Sequence, residues 1–375
     1  MGERLVVGVP TEVKNSEHRV AITPDGVREL RRHGIDVLVQ SGAGDESSIP
    51  DGEYAGAGAK VLNDAAEVWG GSGLVCKVKE PQASEFPFLR PDLVLFTYLH
   101  LAAYPAVGEA LIASGCAAVA YETVQLDNGA LPLLAPMSEV AGRLATQIGA
   151  HYLQRENGGR GVLLGGAPGV RPARVVVLGA GNVGWNSAWI AAGMEAEVLL
   201  LDKNLDRLRW VDQIHKGRIM TLASNTGAVE RALADADLVV GAVLVPGGRA
   251  PTVVTDEMVA GMRRGAVIVD VAIDQGGCVE GIRETTHTDP VYERHGVIHY
   301  AVGNIPGAVP NTSTYALTNA TLSYLVELAS DGLREACRHD PALVHGVNTY
   351  AGHLTHAVVA EALGKPYIPL DQLLG

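Results

Sequence analysis

The stretch that decides the fold is Val175-Val-Val-Leu-Gly-Ala-Gly-Asn-Val-Gly184. An apolar run typical of a β-strand ends in the pattern Gly179-x-Gly181-x-x-Gly184, which leads into a segment with helical character. In such a unit the first glycine permits a sharp turn, the second lets a pyrophosphate approach the backbone, and the third lets the helix pack on the sheet. The phosphates then bind the free N–H groups of the helix N-terminus. We therefore expect a dinucleotide site, the alternative being a tight structural turn.

A second apolar run supports this interpretation. Ala196-Glu-Val-Leu-Leu-Leu201 ends at Asp202, where a dinucleotide fold places the carboxylate that accepts hydrogen bonds from the adenosine ribose. A carboxylate at this point repels the additional phosphate of NADP, so we expect a preference for NAD. Lys203 and Arg207 lie close by in sequence and weaken that preference.

The composition is that of a globular protein with more than one core. A chain of 375 residues, 47% hydrophobic and 19% charged, suggests two folded domains. The net charge of −13 is spread without a basic block, which argues against nucleic acid and anionic membranes as partners. No apolar run approaches the roughly 20 residues of a membrane span. The first residues lack a secretory signal, so we expect a cytoplasmic protein.

The four cysteines are expected to be free thiols. Cys76, Cys116, Cys278 and Cys337 show no CxxC or other metal-type spacing. We therefore predict no metal site.

Apolar runs alternate with helical segments over most of the chain, which predicts parallel α/β sheets. In the first half we expect strands at Leu5–Val9, Asp36–Gln40, Leu74–Val78, Leu93–Thr97 and Ala117–Ala120. In the second half we expect strands at Arg174–Leu178, Glu197–Leu201, Arg218–Leu222, Leu238–Ala242, Ala266–Val271 and Val297–Tyr300.

The two halves are joined by a predicted helix at Ser138–Gln154, with Glu122 and Glu139 near its start. The glycine-rich stretch Asn157–Gly169 then predicts an irregular loop or hairpin, because it lacks the Gly-Lys-Ser/Thr ending of a phosphate-binding P-loop. A further helix, strongest over Tyr315–Ala329, follows the second set of strands.

That last helix suggests a discontinuous first domain, because a finished six-stranded sheet has no need of it. We expect a substrate and catalytic domain formed by residues 1–135 and 306–375, and a Rossmann domain that binds NAD formed by residues 136–305. Both are predicted to be doubly wound α/β domains, with the active-site cleft between them.

Two cationic clusters follow predicted strands of the first domain. Arg19 stands in a polar loop after the first strand, where its guanidinium can take a carboxylate with two hydrogen bonds; a surface or salt-bridging arginine is the alternative. Lys77 and Lys79 share one face if their strand continues through them, and an ammonium at the strand end can hold an anion. A solvated pair on an edge strand is the alternative.

Two further polar positions interrupt apolar surroundings. His100 ends the fourth predicted strand, where it is either a packed core histidine or an acid/base group, since its ordinary pKa lies near neutrality. Asp270 and Asp274 end a strand of the dinucleotide domain and precede Gly276-Gly277, where they either cap the turn or act near the nicotinamide. An arginine, a lysine, a histidine and an aspartate around one cofactor fit oxidation of a small amino or hydroxy acid.

These motifs make the chain similar to the alanine dehydrogenase family, which also contains the NAD-binding subunit of the proton-translocating nicotinamide nucleotide transhydrogenase. The matching motifs span nearly the whole chain: Thr-Glu-x-Lys-Asn-x-Glu-x-Arg19-Val-Ala-x-Thr-Pro, Lys-Val-Lys79-Glu-Pro, Phe-Thr-Tyr-Leu-His100-Leu-Ala, Pro-Leu-Leu-Ala-Pro-Met-Ser138-Glu-Val-Ala-Gly, Gly-Ala-Gly-Asn-Val-Gly, Ala-Ile-Asp274-Gln-Gly-Gly and Pro-x-Thr-Ser-Thr-Tyr-Ala-Leu-Thr-Asn319.

The resemblance implies reversible oxidative deamination of L-alanine to pyruvate and ammonia, with NAD as hydride acceptor and a homohexamer as the assembly. It assigns Arg19 and Lys79 to the substrate carboxylate and carbonyl, His100 to general acid/base catalysis and Asp274 to the second catalytic position. With the glycine loop, it implies these cofactor contacts: Ser138, Gly179, Gly181, Asn182, Val183, Gly184, Asp202, Arg207, Ser224, Val243, Leu244, Arg283, Val302, Asn304 and Ile305.

Two other functions remain open at this point. A nucleotide-binding subunit of a membrane transhydrogenase would exchange hydride with a partner subunit and would need no amino-acid pocket. A catalytically silent NAD-binding module would not need the polar cluster. The histidine and lysine motifs, together with the absence of a membrane span in the sequence, favour the dehydrogenase.

Overall fold

Two separate β-sheets organise the chain. The computed structural model describes residues 5–243 and 249–375. It contains two compact units: one comprises Met1–Met137 with Val309–Gly375, and the other comprises Ser138–Ala308. Leu244, one of the predicted cofactor contacts, lies outside the described residues.

The first unit begins with six strands and four helices. They are β1 (Val7–Val9), α1 (Pro24–Arg32), β2 (Val37–Gln40), α2 (Asp51–Ala57), β3 (Lys60–Leu62), α3 (Ala65–Gly70), β4 (Leu74–Cys76), β5 (Val94–Thr97), α4 (Pro105–Ser114) and β6 (Ala117–Ala120). Helix α5 (Ala135–Tyr152) then crosses the boundary between the units.

The second unit contains the dinucleotide motif. Its elements are β7 (Arg174–Leu178), α6 (Asn182–Gly193), β8 (Glu197–Asp202), α7 (Leu205–His215), β9 (Ile219–Ala223), α8 (Thr226–Ala234), β10 (Leu238–Gly241), α9 (Asp256–Ala260), β11 (Val267–Asp270), β12 (Val291–Arg294) and β13 (Val297–Tyr300). The chain then re-enters the first unit and forms α10 (Pro310–His339), α11 (Pro341–Gly346), β14 (Val347–Tyr350), β15 (His353–Leu354), α12 (Ala357–Leu363) and α13 (Leu370–Leu374).

Both sheets are doubly wound. Within the described residues, the first has the order β15-β14-β6-β5-β4-β1-β2-β3, and the second has the order β12-β13-β11-β10-β7-β8-β9. All neighbouring pairs are parallel except β14–β6, β14–β15 and β12–β13. The strand order reverses between β1 and β4 in one sheet and between β7 and β10 in the other. Ligands of open α/β sheets bind at such reversals, outside the carboxyl ends of the strands.

The central strands are buried on both faces. In β7, Val175 and Val177 pack into one apolar cluster, whereas Val176 and Leu178 pack into another. Successive strand residues point to opposite faces, so helices must cover both sides of this sheet. The predicted fold class, α/β with two parallel sheets, is confirmed.

Several predicted boundaries need correction. Strands β3, β12, β14 and β15 were not predicted, and β4 ends at Cys76 rather than at Val78. Beyond Cys76 the N–H of Val78 donates to the carboxylate of Glu12 at 2.6 Å, while the N–H of Lys77 still donates to the carbonyl of Phe96 at 3.0 Å. Both Lys77 and Lys79 therefore lie beyond β4, and the prediction that they share one face of a strand does not apply.

The joining helix also differs from its prediction. Helix α5 begins at Ala135, three residues before the predicted Ser138. Glu122 does not lie at its start, because it belongs to a 3-10 turn, Tyr121–Thr123, directly after β6. The predicted Tyr315–Ala329 helix is part of α10, whose helical backbone is interrupted at Gly332.

Candidate functional site

The polar side chains predicted for the first unit lie at one edge of its sheet. Arg19 follows β1, Lys79 follows β4 and His100 follows β5. These are the carboxyl ends of strands on either side of the reversal between β1 and β4. The structure therefore brings the three predicted residues to the position where doubly wound sheets bind ligands.

Arg19 is buried and paired. Its side chain is 2% exposed, and it donates from Nε to Glu17 Oε1 at 2.6 Å and from Nη2 to Glu17 Oε2 at 2.5 Å. Its Nη1 contacts the sulfur of Met137 at 3.0 Å. Of the two alternatives for Arg19, a surface residue is wrong, whereas a salt-bridging arginine is what the structure shows. Glu17 thus occupies the edge of the guanidinium formed by Nε and Nη2.

The charges around Glu17 keep this pair ionised. Burial opposes ionisation of Glu17, but Arg19 and Lys79 outweigh it and lower the pKa of the carboxyl to about 2. Burial also opposes the charge of Arg19, and the adjacent carboxylate of Glu17 reverses that effect, so the arginine pKa is raised. Arg19 therefore stays charged in the loop between β1 and α1.

The two lysines after β4 have different surroundings. Lys77 is fully buried, and its ammonium forms ion pairs with Glu12 at 3.1 Å and Glu85 at 2.8 Å. Lys79 is 7% exposed; its backbone N–H lies 3.4 Å from Glu12, and its carbonyl accepts a hydrogen bond from Thr97 at 2.9 Å. Lys77 thus serves the packing of the first unit. A solvated lysine pair, the alternative from the sequence, is wrong.

His100 is held in an unusual backbone conformation. Its φ of 46° is left-handed, and its N–H donates to Glu122 at 2.6 Å. Its ring lies parallel to that of Tyr98, with 5.6 Å between the centroids and 3° between the planes. Burial and the nearby cations, with Lys79 the strongest, hold the pKa of His100 well below its ordinary value. The imidazole is therefore neutral near pH 7.

In the second unit, the three glycines of the motif have distinct roles. Gly179 has a φ of 105°, and a Cβ there would lie 2.5 Å from the carbonyl oxygen of Ala242. A Cβ on Gly184 would lie 1.7 Å from the oxygen of Gly179. A Cβ on Gly181 would meet nothing closer than Arg207 Nη1 at 3.9 Å. The first and third glycines therefore pack the turn, while the second leaves open space.

The N-terminus of α6 fits a pyrophosphate. Its N-cap is Gly181, which supplies no capping side chain, so the first N–H groups of this 12-residue helix have no side-chain acceptor at the cap. Such groups bind phosphate oxygens, and the helix dipole favours the negative charge. The site fits a dinucleotide.

Asp202 fixes the glycine loop as well as ending β8. One carboxylate oxygen accepts from Ala180 N–H at 2.6 Å and the other from Asn204 N–H at 2.7 Å. Arg207 Nη1 lies 3.8 Å from the carboxylate. Ser224, another predicted contact, follows β9 and donates its N–H to the carbonyl of Asp202 at 2.9 Å.

Asp270 and Asp274 are separated by their surroundings. Asp270 is fully buried and accepts from the N–H groups of Ala272 at 3.0 Å and Cys278 at 2.8 Å, so it caps the turn after β11. Asp274 is exposed in the 3-10 turn Val271–Gln275, and one of its oxygens accepts from Asn304 N–H at 3.2 Å. Of the two, Asp270 caps the turn and only Asp274 is exposed.

The other predicted cofactor contacts also lie at loops and element ends. Val243 follows β10, and its N–H lies 3.4 Å from the Cβ position of Gly179. Arg283 is exposed, with its guanidinium 4.3 Å from the ring centroid of Tyr292. The rest occupy the start of α5, the start of α6 and the segment after β13: Ser138, Asn182, Val183, Val302, Asn304 and Ile305.

Sequence reasoning missed the carboxylates and the aromatic ring that hold these cations and the histidine. Glu12, Glu17 and Glu122 received no catalytic or supporting role, and Tyr98 was quoted only inside a motif. Glu122 could have been found by the rule that found His100, since it also follows a predicted apolar strand directly. The pairing of Glu17 with Arg19 has no comparable signal, because many charged neighbours are solvated.

Within residues 5–243 and 249–375, no helix combines the length and the apolar character that a membrane crossing requires. The same part of the chain contains no group of three or more His, Cys, Asp or Glu placed to hold a metal ion.

Comparison with known proteins agrees with the resemblance seen in the sequence. Residues 8–141 match the family model described as alanine dehydrogenase/PNT, N-terminal domain, and residues 145–357 match the C-terminal domain of the same family. The chain is 56% identical over 361 residues to an alanine dehydrogenase of Mycobacterium tuberculosis (strain CDC 1551 / Oshkosh), which covers 96% of this chain and 97% of that protein. It is 51% identical over 371 residues to the alanine dehydrogenase of Bacillus subtilis (strain 168), covering 99% and 98%.

Solved structures give the same result. A structure titled L-alanine dehydrogenase matches with a TM-score of 0.92 and 49% identity, covering 96% of this chain and 99% of that chain. A transhydrogenase from Sinorhizobium meliloti matches with a TM-score of 0.79 at 24% identity, which shows a shared fold. Two matching family models and relatives above 50% identity over nearly the full length thus place the protein: this chain belongs to the alanine dehydrogenase/PNT family.

Proposed function

We propose that this protein is an L-alanine dehydrogenase that oxidises L-alanine to pyruvate and ammonia with NAD, reversibly. The observation that carries the proposal is the set of Arg19, Lys79 and His100 at the carboxyl edge of the first sheet. A protein that binds a dinucleotide without catalysing a reaction would not need two buried cations beside a neutral histidine. The full-length relatives named alanine dehydrogenase support the same substrate.

Arg19 and Lys79 bind the substrate in this proposal. The guanidinium of Arg19 takes the carboxylate, and Glu17 holds the arginine through Nε and Nη2. Lys79 contacts the oxygen that becomes the keto group. Fixing both ends of so small a substrate orients its Cα–H bond, and such orientation lowers the barrier by several kcal/mol.

His100 moves the protons. When NAD is bound by the second unit, its nicotinamide supplies the hydride acceptor. Loss of hydride from Cα leaves an iminium ion, and water adds to it to form a carbinolamine. His100 accepts a proton from that water and returns it to the nitrogen. The C–N bond then breaks, ammonia leaves, and the hydroxyl group loses its own proton to become the keto oxygen. The lowered pKa of His100 keeps the imidazole neutral near pH 7, which is the form that accepts a proton.

Asp274 is proposed to stabilise the cationic intermediates and to orient water. Its exposed carboxylate, oriented by the N–H of Asn304, keeps further lone pairs for such contacts. The remaining cofactor assignments and the active-site cleft stay predictions from the sequence. The same applies to the preference for NAD, the cytoplasmic location and the homohexamer.

Reductive amination tests the proposal. NADH oxidation should require pyruvate and ammonium together, and neither alone should support it. His100→Ala should lower turnover by about 10²–10⁴-fold, the usual contribution of a general acid/base, while NADH still binds. A transhydrogenase subunit would instead transfer hydride between two nicotinamide nucleotides without either substrate. A His100→Ala variant with wild-type turnover would remove the histidine from the mechanism.

A further inference from the structure

We infer that Glu122 is a positioning residue for His100, an inference that rests on the acid/base role proposed for His100. Glu122 lies in the 3-10 turn Tyr121–Thr123 after β6. One oxygen of its carboxylate accepts from the N–H of His100 at 2.6 Å, and both oxygens lie 3.2 Å from the N–H of Leu99. Glu122 therefore acts on the histidine through the backbone.

The sheet register explains this placement. In the parallel pair β5–β6, Thr97 is opposite Ala120. The ladder ends there, and two residues further along each chain come Leu99 and Glu122. The side-chain carboxylate takes the place of a strand carbonyl and accepts the next two N–H groups. A carboxylate with such donors forms stronger hydrogen bonds than a neutral acceptor does.

The backbone at His100 needs this support. A left-handed φ is uncommon for a residue with a Cβ. The carbonyl of His100 accepts from Ala103 N–H at 2.8 Å and Tyr104 N–H at 3.2 Å, so Glu122 holds the N–H side of a residue whose carbonyl side is already fixed. The direction of the Cα–Cβ bond, and with it the location of the imidazole, follows from this conformation.

Tyr98 holds the ring from one face. Its hydroxyl donates to the carbonyl of Leu133 at 2.6 Å, and its ring is stacked in parallel on the imidazole. The aromatic contact restricts rotation of the ring, while Glu122 fixes the backbone that carries it. Catalytic groups held by such supporting contacts keep the geometry that the reaction needs.

A double-mutant cycle tests this role. Glu122→Ala and Glu122→Gln are made in the wild-type protein and in His100→Ala, with Glu109→Ala on the exposed face of α4 as the control. The measurements are kcat and KM for NADH-dependent amination of pyruvate, together with binding of NADH. In Glu122→Gln, the amide oxygen can still accept from the N–H of His100. The amide N–H₂ group then faces the N–H of Leu99 and cannot accept from it.

The expected results separate positioning from general damage. Glu122→Ala should lower kcat on the order of 100-fold, the size of effect that a small misplacement of a catalytic group causes. Glu122→Gln should recover a large part of that loss, and NADH affinity should stay unchanged in both variants. The KM for pyruvate should change less than kcat. In His100→Ala, replacement of Glu122 should cause no further loss, because the two residues act as one unit.

Wild-type kcat in Glu122→Ala, or an equal loss in both backgrounds, would overturn the inference. If Glu122→Ala does not fold, Glu122→Gln carries the comparison: a loss confined to the background with His100 supports the inference, and no loss overturns it. Failure of the proposed function is recognised separately, because the wild-type protein would then not aminate pyruvate at all, whatever residue stands at position 122. An impaired His100→Ala beside a normal Glu122→Ala would overturn the role of Glu122 alone.

Discussion

Glu17 and Arg19, two residues apart in the chain, form a buried ion pair with two hydrogen bonds, at 2.6 and 2.5 Å. The arginine is 2% exposed and the glutamate side chain is completely buried. The pair fixes the orientation of the guanidinium to which the substrate carboxylate is proposed to bind. It also joins substrate binding to folding stability, because either partner alone would be a buried, uncompensated charge.

Glu17→Gln should therefore reduce stability and substrate affinity together. Removal of one partner of a buried pair costs about 3–5 kcal/mol of unfolding free energy. Denaturant titration at fixed protein concentration measures this loss, and the KM for pyruvate should rise more than kcat falls. Glu46→Gln is the matched control, since Glu46 is 74% exposed and should behave as wild type. Equal stability of the two variants would contradict the role of the pair.

Glu12 should make folding stability fall as pH rises. Burial raises its pKa to about 7, because Lys77 is shared with Glu85 and cannot fully compensate two carboxylates. A carboxyl whose folded-state pKa is raised contributes stability that is complete below the unfolded pKa of about 4.3 and is lost as pH passes through about 7.

Glu12→Gln should abolish this component, so wild type minus variant stability should decline by about 3 kcal/mol between pH 4 and 8. Thermal denaturation across that range provides the measurement. A difference that is constant, or that increases with pH, would show that Glu12 is ionised in the folded protein throughout.

The pH dependence of L-alanine oxidation should show the effect of the cations around His100 on the pKa of this histidine. The histidine has to be neutral to accept a proton, so kcat/KM should fall as pH drops through its pKa. Burial and the charges of Lys79, Lys14 and Arg19 place that pKa well below the ordinary value of about 6.5. The acid limb of the profile should therefore lie below pH 6.5.

Lys14→Met should move that limb to higher pH. Loss of a nearby cation favours the imidazolium form and so raises the pKa of His100. The variant also leaves the carboxylate of Glu80 without Lys14, its partner at 2.5 Å, and this negative charge favours the imidazolium form as well. Lys60→Met, at an exposed position of β3, should leave the profile unchanged. A shift to lower pH, or the same shift in both variants, would contradict this account of the histidine.

Two glycines of the dinucleotide loop should respond differently to substitution by alanine: one change should affect NADH binding and the other folding stability. Gly181→Ala places a methyl group in open space where the pyrophosphate is expected, so NADH affinity should fall while thermal stability stays close to wild type. Gly184→Ala places its methyl group 1.7 Å from the backbone oxygen of Gly179. This clash should lower the free energy of unfolding by about 1–3 kcal/mol or more. Thermal melts and NADH titrations of both variants give the comparison. A stable Gly184→Ala with normal affinity would contradict the packing.

The apolar strands were predictable, and the strands with charged residues were not. Arg174–Leu178, Val297–Tyr300 and Ala117–Ala120 have the predicted bounds, because strands buried on both faces are continuously apolar. Strand β3, Lys60–Leu62, has three residues and begins with an exposed lysine, and β12, Val291–Arg294, contains two charged residues. Such strands are specified by pairing with their neighbours more than by their own sequence.

The candidate site shows the same limit. Polar residues after predicted strands led to Lys79 and His100, since carboxyl ends of parallel strands share one edge. The sequence could not predict that Lys77 and Lys79 have different surroundings. That difference depends on Glu12, which lies 65 residues before Lys77, and on Glu85. Tertiary partners decide which of two neighbouring lysines is structural.

The central claim is tested most directly by incubating the protein with NAD and L-alanine as the sole substrate. The account predicts steady formation of NADH, with pyruvate and ammonia released in equal molar amounts. His100→Ala should suppress this reaction without loss of NADH binding. If the protein binds NADH but forms none from L-alanine and NAD, its function is not that of an alanine dehydrogenase.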